Sequence, residues 1–222
     1  MLGDKIIIRP EYFELSRDII SLLSGPINIL GRSKIVLGIG GESGSGKSVT
    51  ALCLKKELRK NGINSLILHQ DDYFFLPPLT NHQNRKKDLA NVGLHEVDMD
   101  LLEAHIDAFH CKTESIEAPL IDYQNNSKGR QTINFRNVQV LIVEGTYVLS
   151  LEQLDCRIFL TSDYKDTRRM RLERNRDLHD HNNPFADQVF EIEHQIIKQH
   201  MSLASIVIDK QYEVKFISEE EK

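Results

Sequence analysis

The residues with the clearest potential for chemistry lie in one glycine-rich segment, Ile35–Ser48. Its second half fits the pattern G-x-x-x-x-G-K-[ST], in which glycines let successive backbone N–H groups point at one anion. The lysine of this pattern reaches the β- and γ-phosphates of a nucleotide, and the hydroxyl binds Mg²⁺. The pattern therefore predicts a bound nucleotide and Mg²⁺ as cofactors. The predicted phosphate loop consists of Gly41, Glu42, Ser43, Gly44, Ser45, Gly46, Lys47 and Ser48.

The segments on either side of this loop have the composition that the pattern requires. The apolar run Ile35–Ile39 predicts a buried strand, and Ser48–Lys60 predicts a helix that closes at Gly62. A loop that joins a strand to a helix gains the positive N-terminal end of that helix. This context favours nucleotide binding over the alternative, a glycine-rich turn without a ligand.

Two further predicted strands bring carboxylates to the same edge of the sheet. Ser65–His69 is followed by Asp71 and Asp72, and Val138–Gly145 contains Glu144 next to its end. An aspartate beside a hydroxyl acceptor can take or orient its proton during phosphoryl transfer. Glu144 could bind Mg²⁺ directly or through water. The alternatives are an aspartate that caps a turn and a glutamate that only accepts backbone hydrogen bonds.

An arginine-rich stretch lies further along the chain, within a predicted lid at about residues 165–183. Arginine binds phosphate oxygens through two parallel hydrogen bonds and keeps its charge, so such a helix could close over the loop. We predict that arginines among Arg171, Arg174 and Arg176 stabilise the transferring group. The alternative is a solvated helix face whose arginines pair with neighbouring acids.

The remaining elements alternate between strands and helices. Residues 1–33 predict an extension with a strand at 5–8 and a helix at Glu11–Leu23, which packs on the core or contacts another copy of the chain. Residues 76–95 suggest a long surface loop or disorder, and residues 118–126 a loop or edge segment. Two closing strands, 206–209 and 213–216, suggest a hairpin. Together these elements predict an α/β protein, with one mainly parallel sheet and helices on both faces, in a single domain over 1–222.

The composition narrows the function further. The chain has 222 residues, with 28 basic and 33 acidic side chains, so its net charge of −5 argues against a nucleic-acid partner. No apolar run reaches the roughly 18 residues that a membrane span needs. Cys53, Cys111 and Cys156 are too far apart for a zinc site and are expected to be free thiols. These features predict a cytoplasmic protein that acts on a small molecule.

The motifs together resemble the uridine kinase, phosphoribulokinase and bacterial pantothenate kinase superfamily of P-loop kinases. This resemblance implies the P-loop NTPase fold, ATP as the bound nucleotide and phosphorylation of a hydroxyl group. It also implies that Asp71 acts on the acceptor hydroxyl, that Phe74 lines the acceptor site and that Glu144 lies near the metal. The matching segments are Ser43–Ser48, Gln70–Phe74, Val143–Gly145 and the start of the lid at Asp166-Thr-Arg-Arg169.

Two departures concern the acceptor. Uridine kinases typically show Tyr-Asp-Phe-x-x-His where this chain has Ile121-Asp-Tyr-Gln-Asn-Asn126, so Asp122 is the matching substrate-binding candidate. Their Asn-Phe-Asp-His-Pro segment has no clean equivalent in residues 91–95. A nucleoside such as uridine is the leading acceptor, and pantothenate, a sugar, a sugar phosphate and nicotinamide riboside are alternatives. A nucleotide-binding regulatory protein is a further alternative, whereas a GTPase is disfavoured because no N-K-x-D segment is present.

Overall fold

The computed structural model describes residues 7–168, residue 171 and residues 184–218. The helices are α1 (Glu11–Ser24), α2 (Lys47–Lys60), α3 (Pro78–Lys87), α4 (Met99–His110) and α5 (Pro184–Ile197). The strands are β1 (Ile35–Gly41), β2 (Ser65–His69), β3 (Ser115–Asp122), β4 (Ser127–Asn134), β5 (Val140–Gly145), β6 (Cys156–Leu160), β7 (Ile206–Ile208) and β8 (Val214–Phe216). A single domain over the full chain stays a prediction, since it also concerns residues outside these ranges.

A six-stranded sheet with the order β2-β5-β1-β6-β7-β8 forms the centre of the fold. Strands β2, β5, β1, β6 and β7 are parallel, and β8 pairs antiparallel with β7 as the predicted closing hairpin. Every residue of β1 is buried, which explains its nearly continuous apolar sequence. The prediction of a mainly parallel sheet is therefore confirmed.

Alternate residues of the strands face two separate cores. Val36 and Leu141 belong to one core with α4, and Leu37 and Ile142 belong to the other with α1 and α2. Because successive side chains of a strand point to opposite faces, both faces of the sheet must be covered. This arrangement confirms helices on both faces. In the described part of the chain, none of these helices combines the length and apolarity needed to cross a membrane.

The N-terminal extension packs against the phosphate loop. Helix α1 confirms the predicted helix, but the strand predicted at 5–8 is wrong in its described part, because Ile7 and Ile8 lie outside any strand. Tyr12 is 3% exposed, and a Cβ added to Gly46 would lie 2.6 Å from its hydroxyl oxygen. This contact favours packing on the core as the role of α1, and an oligomer contact through 1–33 stays a prediction.

The surface loop predicted for residues 76–95 is wrong. Helix α3 occupies much of this segment, followed by 3₁₀ turns at Leu89–Asn91 and Leu94–Glu96. Pro78 stands in the first turn of α3, where its missing N–H costs no hydrogen bond. The sequence of α3 is mostly polar, and its position depends on contacts with distant parts of the chain. Local periodicity therefore could not reveal it.

The loop or edge segment predicted at 118–126 belongs to a hairpin outside the main sheet. Strand β3 pairs antiparallel with β4 over its whole length, from Ser115 opposite Asn134 to Asp122 opposite Ser127. Strand β4 went unpredicted because most of its side chains are polar and exposed. The hairpin lies beside the end of β2, since Asp72 accepts a hydrogen bond from the Ile121 amide at 2.9 Å.

A buried ion pair holds α3 in place. The Nε of Arg85 donates to Glu96 Oε1 at 2.5 Å, and its Nη2 donates to Glu193 Oε1 in α5 at 2.9 Å. Asn81 donates to the same Glu96 oxygen at 2.8 Å. Burial raises the pKa of Glu193, and the Arg85 charge opposes that shift. The single positive charge of Arg85 thus lies between two carboxylates and offsets their mutual repulsion.

Arg85→Met is expected to lower the free energy of unfolding by about 3 to 5 kcal/mol, because it leaves both carboxylates buried without their cation. Chemical denaturation of the purified protein measures this change. Arg136→Met is the matched control, since Arg136 pairs with Glu114 on the surface, where their side chains are 64% and 68% exposed. The control should lose less than about 1 kcal/mol. Equal losses in both variants would contradict the interpretation.

Candidate active site

The phosphate loop connects β1 to α2, as predicted. Gly41, Gly44 and Gly46 have φ values of 146°, 79° and 102°, which side chains with a Cβ rarely adopt. The Nζ of Lys47 donates to the Glu42 carbonyl oxygen at 2.9 Å. Ser45 Oγ is buried and, among the described residues, has no hydrogen-bond partner. A loop shaped by glycine, with a fixed ammonium group and an unsatisfied hydroxyl, fits a phosphate group.

Ser48 and Glu144 come together at the edge of the sheet. Ser48 Oγ donates to Glu144 Oε1 at 3.0 Å, and His69 Nδ1 lies 2.6 Å from the same oxygen. The strand register explains this meeting, because Glu144 in β5 pairs with Ile39 in β1 on one side and with His69 in β2 on the other. A hydroxyl beside a carboxylate is a donor set that suits Mg²⁺, which usually takes few protein ligands and keeps phosphates and waters.

The electrostatics of this pair favour an ionised carboxylate. Burial alone would raise the pKa of Glu144, but the hydrogen bond and charge of His69, followed by the charge of Lys47, hold this pKa below its ordinary value. Burial opposes a charged His69, yet its bond to Glu144 raises the pKa of the imidazole. His69 was not among the residues predicted for the site. Its place as the last residue of β2 was visible, but its contact with Glu144 requires knowledge of the strand order.

The two aspartates after β2 have different surroundings. Asp72 is 3% exposed, and its bond to the Ile121 amide anchors the β3–β4 hairpin. Asp71 is partly exposed, and Tyr123 donates to its Oδ2 at 3.3 Å. Asp72 thus has a structural role, as in the alternative of an aspartate that caps a turn. The amide that it caps, however, belongs to Ile121 in β3 and not to the following turn. This difference favours Asp71 as the carboxylate that faces an acceptor.

The two other acceptor-site candidates lie near the hairpin. Phe74 is partly buried, and Lys128 of β4 donates to its carbonyl oxygen at 2.8 Å. The Asp122 carboxylate accepts hydrogen bonds from the amides of Gln124 and Asn125 at 2.9 and 3.1 Å, within the hairpin turn. These contacts stabilise the turn. A substrate-binding role for Phe74 or Asp122 stays a prediction.

Only the first part of the predicted lid belongs to the described residues. Thr167 Oγ1 donates to the Ser43 carbonyl oxygen at 2.8 Å, which joins this region to the phosphate loop. Arg171 is buried, donates from Nη1 to the Tyr164 carbonyl oxygen at 2.6 Å and lies over the Phe190 ring at 4.1 Å. Its Cγ would lie 2.8 Å from a Cβ added to Gly44. Arg169, Arg174 and Arg176 lie outside the described residues, so the lid and its arginines stay predictions.

A parallel sheet, a phosphate loop between its first strand and the following helix, and acidic side chains at neighbouring strand ends define the P-loop class of nucleotide-binding proteins. The model of the Phosphoribulokinase / Uridine kinase family matches residues 36–215. The chain therefore belongs to this family. The predicted superfamily is confirmed.

Several known proteins are similar to this chain. A bifunctional alpha-galactosidase/sucrose kinase of Mediterraneibacter gnavus is 28% identical over 190 residues, which cover 80% of this chain and 20% of that protein. A uridine kinase of Bacillus pumilus is 31% identical over 139 residues, which cover 60% of this chain and 63% of that protein. The chain thus spans less than two thirds of the length of either relative.

One solved structure shows the same fold. It is the structure of a possible uridine kinase from Bacillus stearothermophilus, and its TM-score with this chain is 0.63 at 18% identity. The match covers 87% of this chain and 98% of that one. At this identity the likeness concerns the fold alone.

Proposed function

We propose that this protein transfers the γ-phosphoryl group of ATP to a hydroxyl group of a small metabolite, with a nucleoside such as uridine as the leading acceptor. The observation that carries the proposal is the meeting of Ser48, Glu144 and His69 beside a glycine-shaped phosphate loop, with the partly exposed Asp71 just beyond β2. Phosphoryl transfer depends mainly on positioning and charge stabilisation, and these groups supply both. A cytoplasmic location stays a prediction.

Each group has a role in this reaction. The loop amides and Lys47 bind the phosphates of ATP, while Ser48 and Glu144 would hold Mg²⁺. When bound, Mg²⁺ neutralises charge on the β- and γ-phosphates. His69 keeps Glu144 ionised and oriented. Asp71 accepts or orients the acceptor hydroxyl proton, and Arg171, with Arg174 and Arg176 of the predicted lid, stabilises the transferring group.

Two relatives support different classes of acceptor. The uridine kinase relative supports a nucleoside. The relative that carries a sucrose kinase supports a sugar, and its match covers more of this chain, 80% against 60%. Pantothenate, sugar phosphates and nicotinamide riboside remain alternatives, as does a regulatory protein that binds nucleotide without turnover.

An acceptor panel tests the proposal. We expect ADP release from MgATP to rise well above the acceptor-free rate with at least one compound from a panel of nucleosides, free sugars, sugar phosphates and pantothenate. Release with nucleosides supports a nucleoside kinase, and release only with free sugars supports the second candidate. Glu144→Gln should reduce the acceptor-dependent rate about 10- to 100-fold. ATP binding without release for any acceptor would favour the regulatory alternative.

A further inference from the structure

The phosphate loop contains an acidic residue, which is unexpected in a loop that binds anions. Glu42 lies between Gly41 and Ser43, and its side chain is 8% exposed. A carboxylate in this position would repel the phosphates of ATP if it turned toward them. The protein must therefore hold this charge elsewhere.

Two groups from outside the loop bind the Glu42 carboxylate. His194 Nδ1 of α5 lies 2.5 Å from Oε1, and the Tyr164 amide donates to Oε2 at 2.6 Å. Both oxygens of the Glu42 carboxylate thus have partners that lie outside the phosphate loop. The backbone of the same residue also matters, because the Glu42 carbonyl oxygen accepts the hydrogen bond from Lys47. Because the Glu42 side chain is held in place, the Glu42 carbonyl oxygen that orients Lys47 is held in place as well.

Helix α5 gives His194 a well-defined position. Its neighbour Glu193 pairs with Arg85 of α3, and Glu191 accepts from the Tyr164 hydroxyl at 2.6 Å. The ring of Phe190 stacks on Tyr164, with ring centroids 6.1 Å apart and an angle of 22° between the planes. These contacts hold α5 against the segment that contains Tyr164. The imidazole is therefore presented to Glu42 by a fixed support.

We propose that His194 is a positioning residue for nucleotide binding: it holds the Glu42 carboxylate away from the phosphates and thereby sets the loop and Lys47. This inference rests on the proposed use of ATP. A merely structural histidine would affect stability only. A positioning histidine affects ATP affinity through the charge of Glu42. Removing that charge should therefore restore part of the ATP affinity that is lost with His194.

The test compares His194→Ala, His194→Gln and the double variant Glu42→Gln/His194→Ala. We expect His194→Ala to weaken MgATP binding about 10- to 100-fold in isothermal titration calorimetry, because the released Glu42 carboxylate then repels the phosphates. The double variant should bind MgATP more tightly than His194→Ala, because no repelling charge is left. His194→Gln keeps a hydrogen-bond donor and should bind more tightly than the alanine variant. Gln199→Ala, at an exposed position just after α5, is the control and should bind like the wild type.

Three results would overturn the proposal. They are wild-type affinity in His194→Ala, an affinity loss that the double variant does not reduce, and equal losses in His194→Gln and His194→Ala. Melting temperatures of all variants show whether a variant is folded, and the glutamine variant decides the matter if the alanine variant does not fold. Wild-type protein that binds no MgATP would instead overturn the proposed function, and this inference with it.

Discussion

Asp71→Asn is expected to lower kcat about 10²- to 10⁴-fold, the usual contribution of a group that accepts or orients a proton. Asparagine keeps the size of the side chain but cannot take the proton from the acceptor hydroxyl. Binding of MgATP should be retained, because the phosphate loop lies on β1 and α2 and is unchanged. Steady-state rates at saturating MgATP and acceptor, together with a separate ATP titration, measure both quantities.

Asp72→Asn is the matched control for this experiment. The Oδ1 of an asparagine can still accept the hydrogen bond that Ile121 donates to Asp72 at 2.9 Å, so the β3–β4 hairpin should keep its place. We expect a much smaller loss of kcat than for Asp71→Asn. Unchanged turnover in Asp71→Asn would remove Asp71 from its role, and a larger loss in Asp72→Asn would move that role to its neighbour.

Lys47→Ala is expected to lower kcat/KM for ATP about 10²- to 10³-fold, comparable to the loss of one preorganised electrostatic contact to the transition state. The Lys47 side chain is nearly buried, and its ammonium is already fixed at 2.9 Å from the Glu42 carbonyl oxygen. Little reorganisation is then needed when the phosphates bind. Initial rates over a range of MgATP concentrations give the ratio.

Lys60→Ala provides the comparison at the other end of α2. The Lys60 side chain is 65% exposed and pairs with Glu57, whose own side chain is buried. The same kind of change at this position should leave kcat/KM near the wild-type value, because Lys60 is the last residue of α2 and Lys47 is the first. Full activity in Lys47→Ala would exclude the phosphate-binding role of the lysine.

Much of the nucleotide half of the site could be predicted from the sequence. The phosphate loop depends on local conformation: glycines that accept positive φ, followed by Lys47 and Ser48 at the start of a helix. Strands β1 and β5 are apolar runs, because both of their faces are buried. The position of Glu144 at the shared edge follows from the parallel arrangement of these strands.

The part of the fold that contains α3 and the β3–β4 hairpin was harder to predict because its elements depend on distant contacts. Helix α3 is polar, and its Arg85 pairs with Glu193, which lies 108 positions away in the chain. Strand β4 is mostly exposed and pairs with β3 in a separate two-stranded sheet. Neither element has the local apolar period that indicates a buried helix or strand.

The sequence by itself determined which groups are available: a phosphate loop, a nearby lysine and hydroxyl, and carboxylates at strand ends. It did so because these features depend on residue type and short spacing. Only the tertiary structure decided their partners. The strand order places His69 next to Glu144. Asp72 accepts a hydrogen bond from the β3–β4 hairpin, whereas Asp71 is partly exposed. The packing of α5 places His194 beside Glu42. These pairs join segments that are far apart in the chain. The contacts therefore form only when the sheet and α5 pack together.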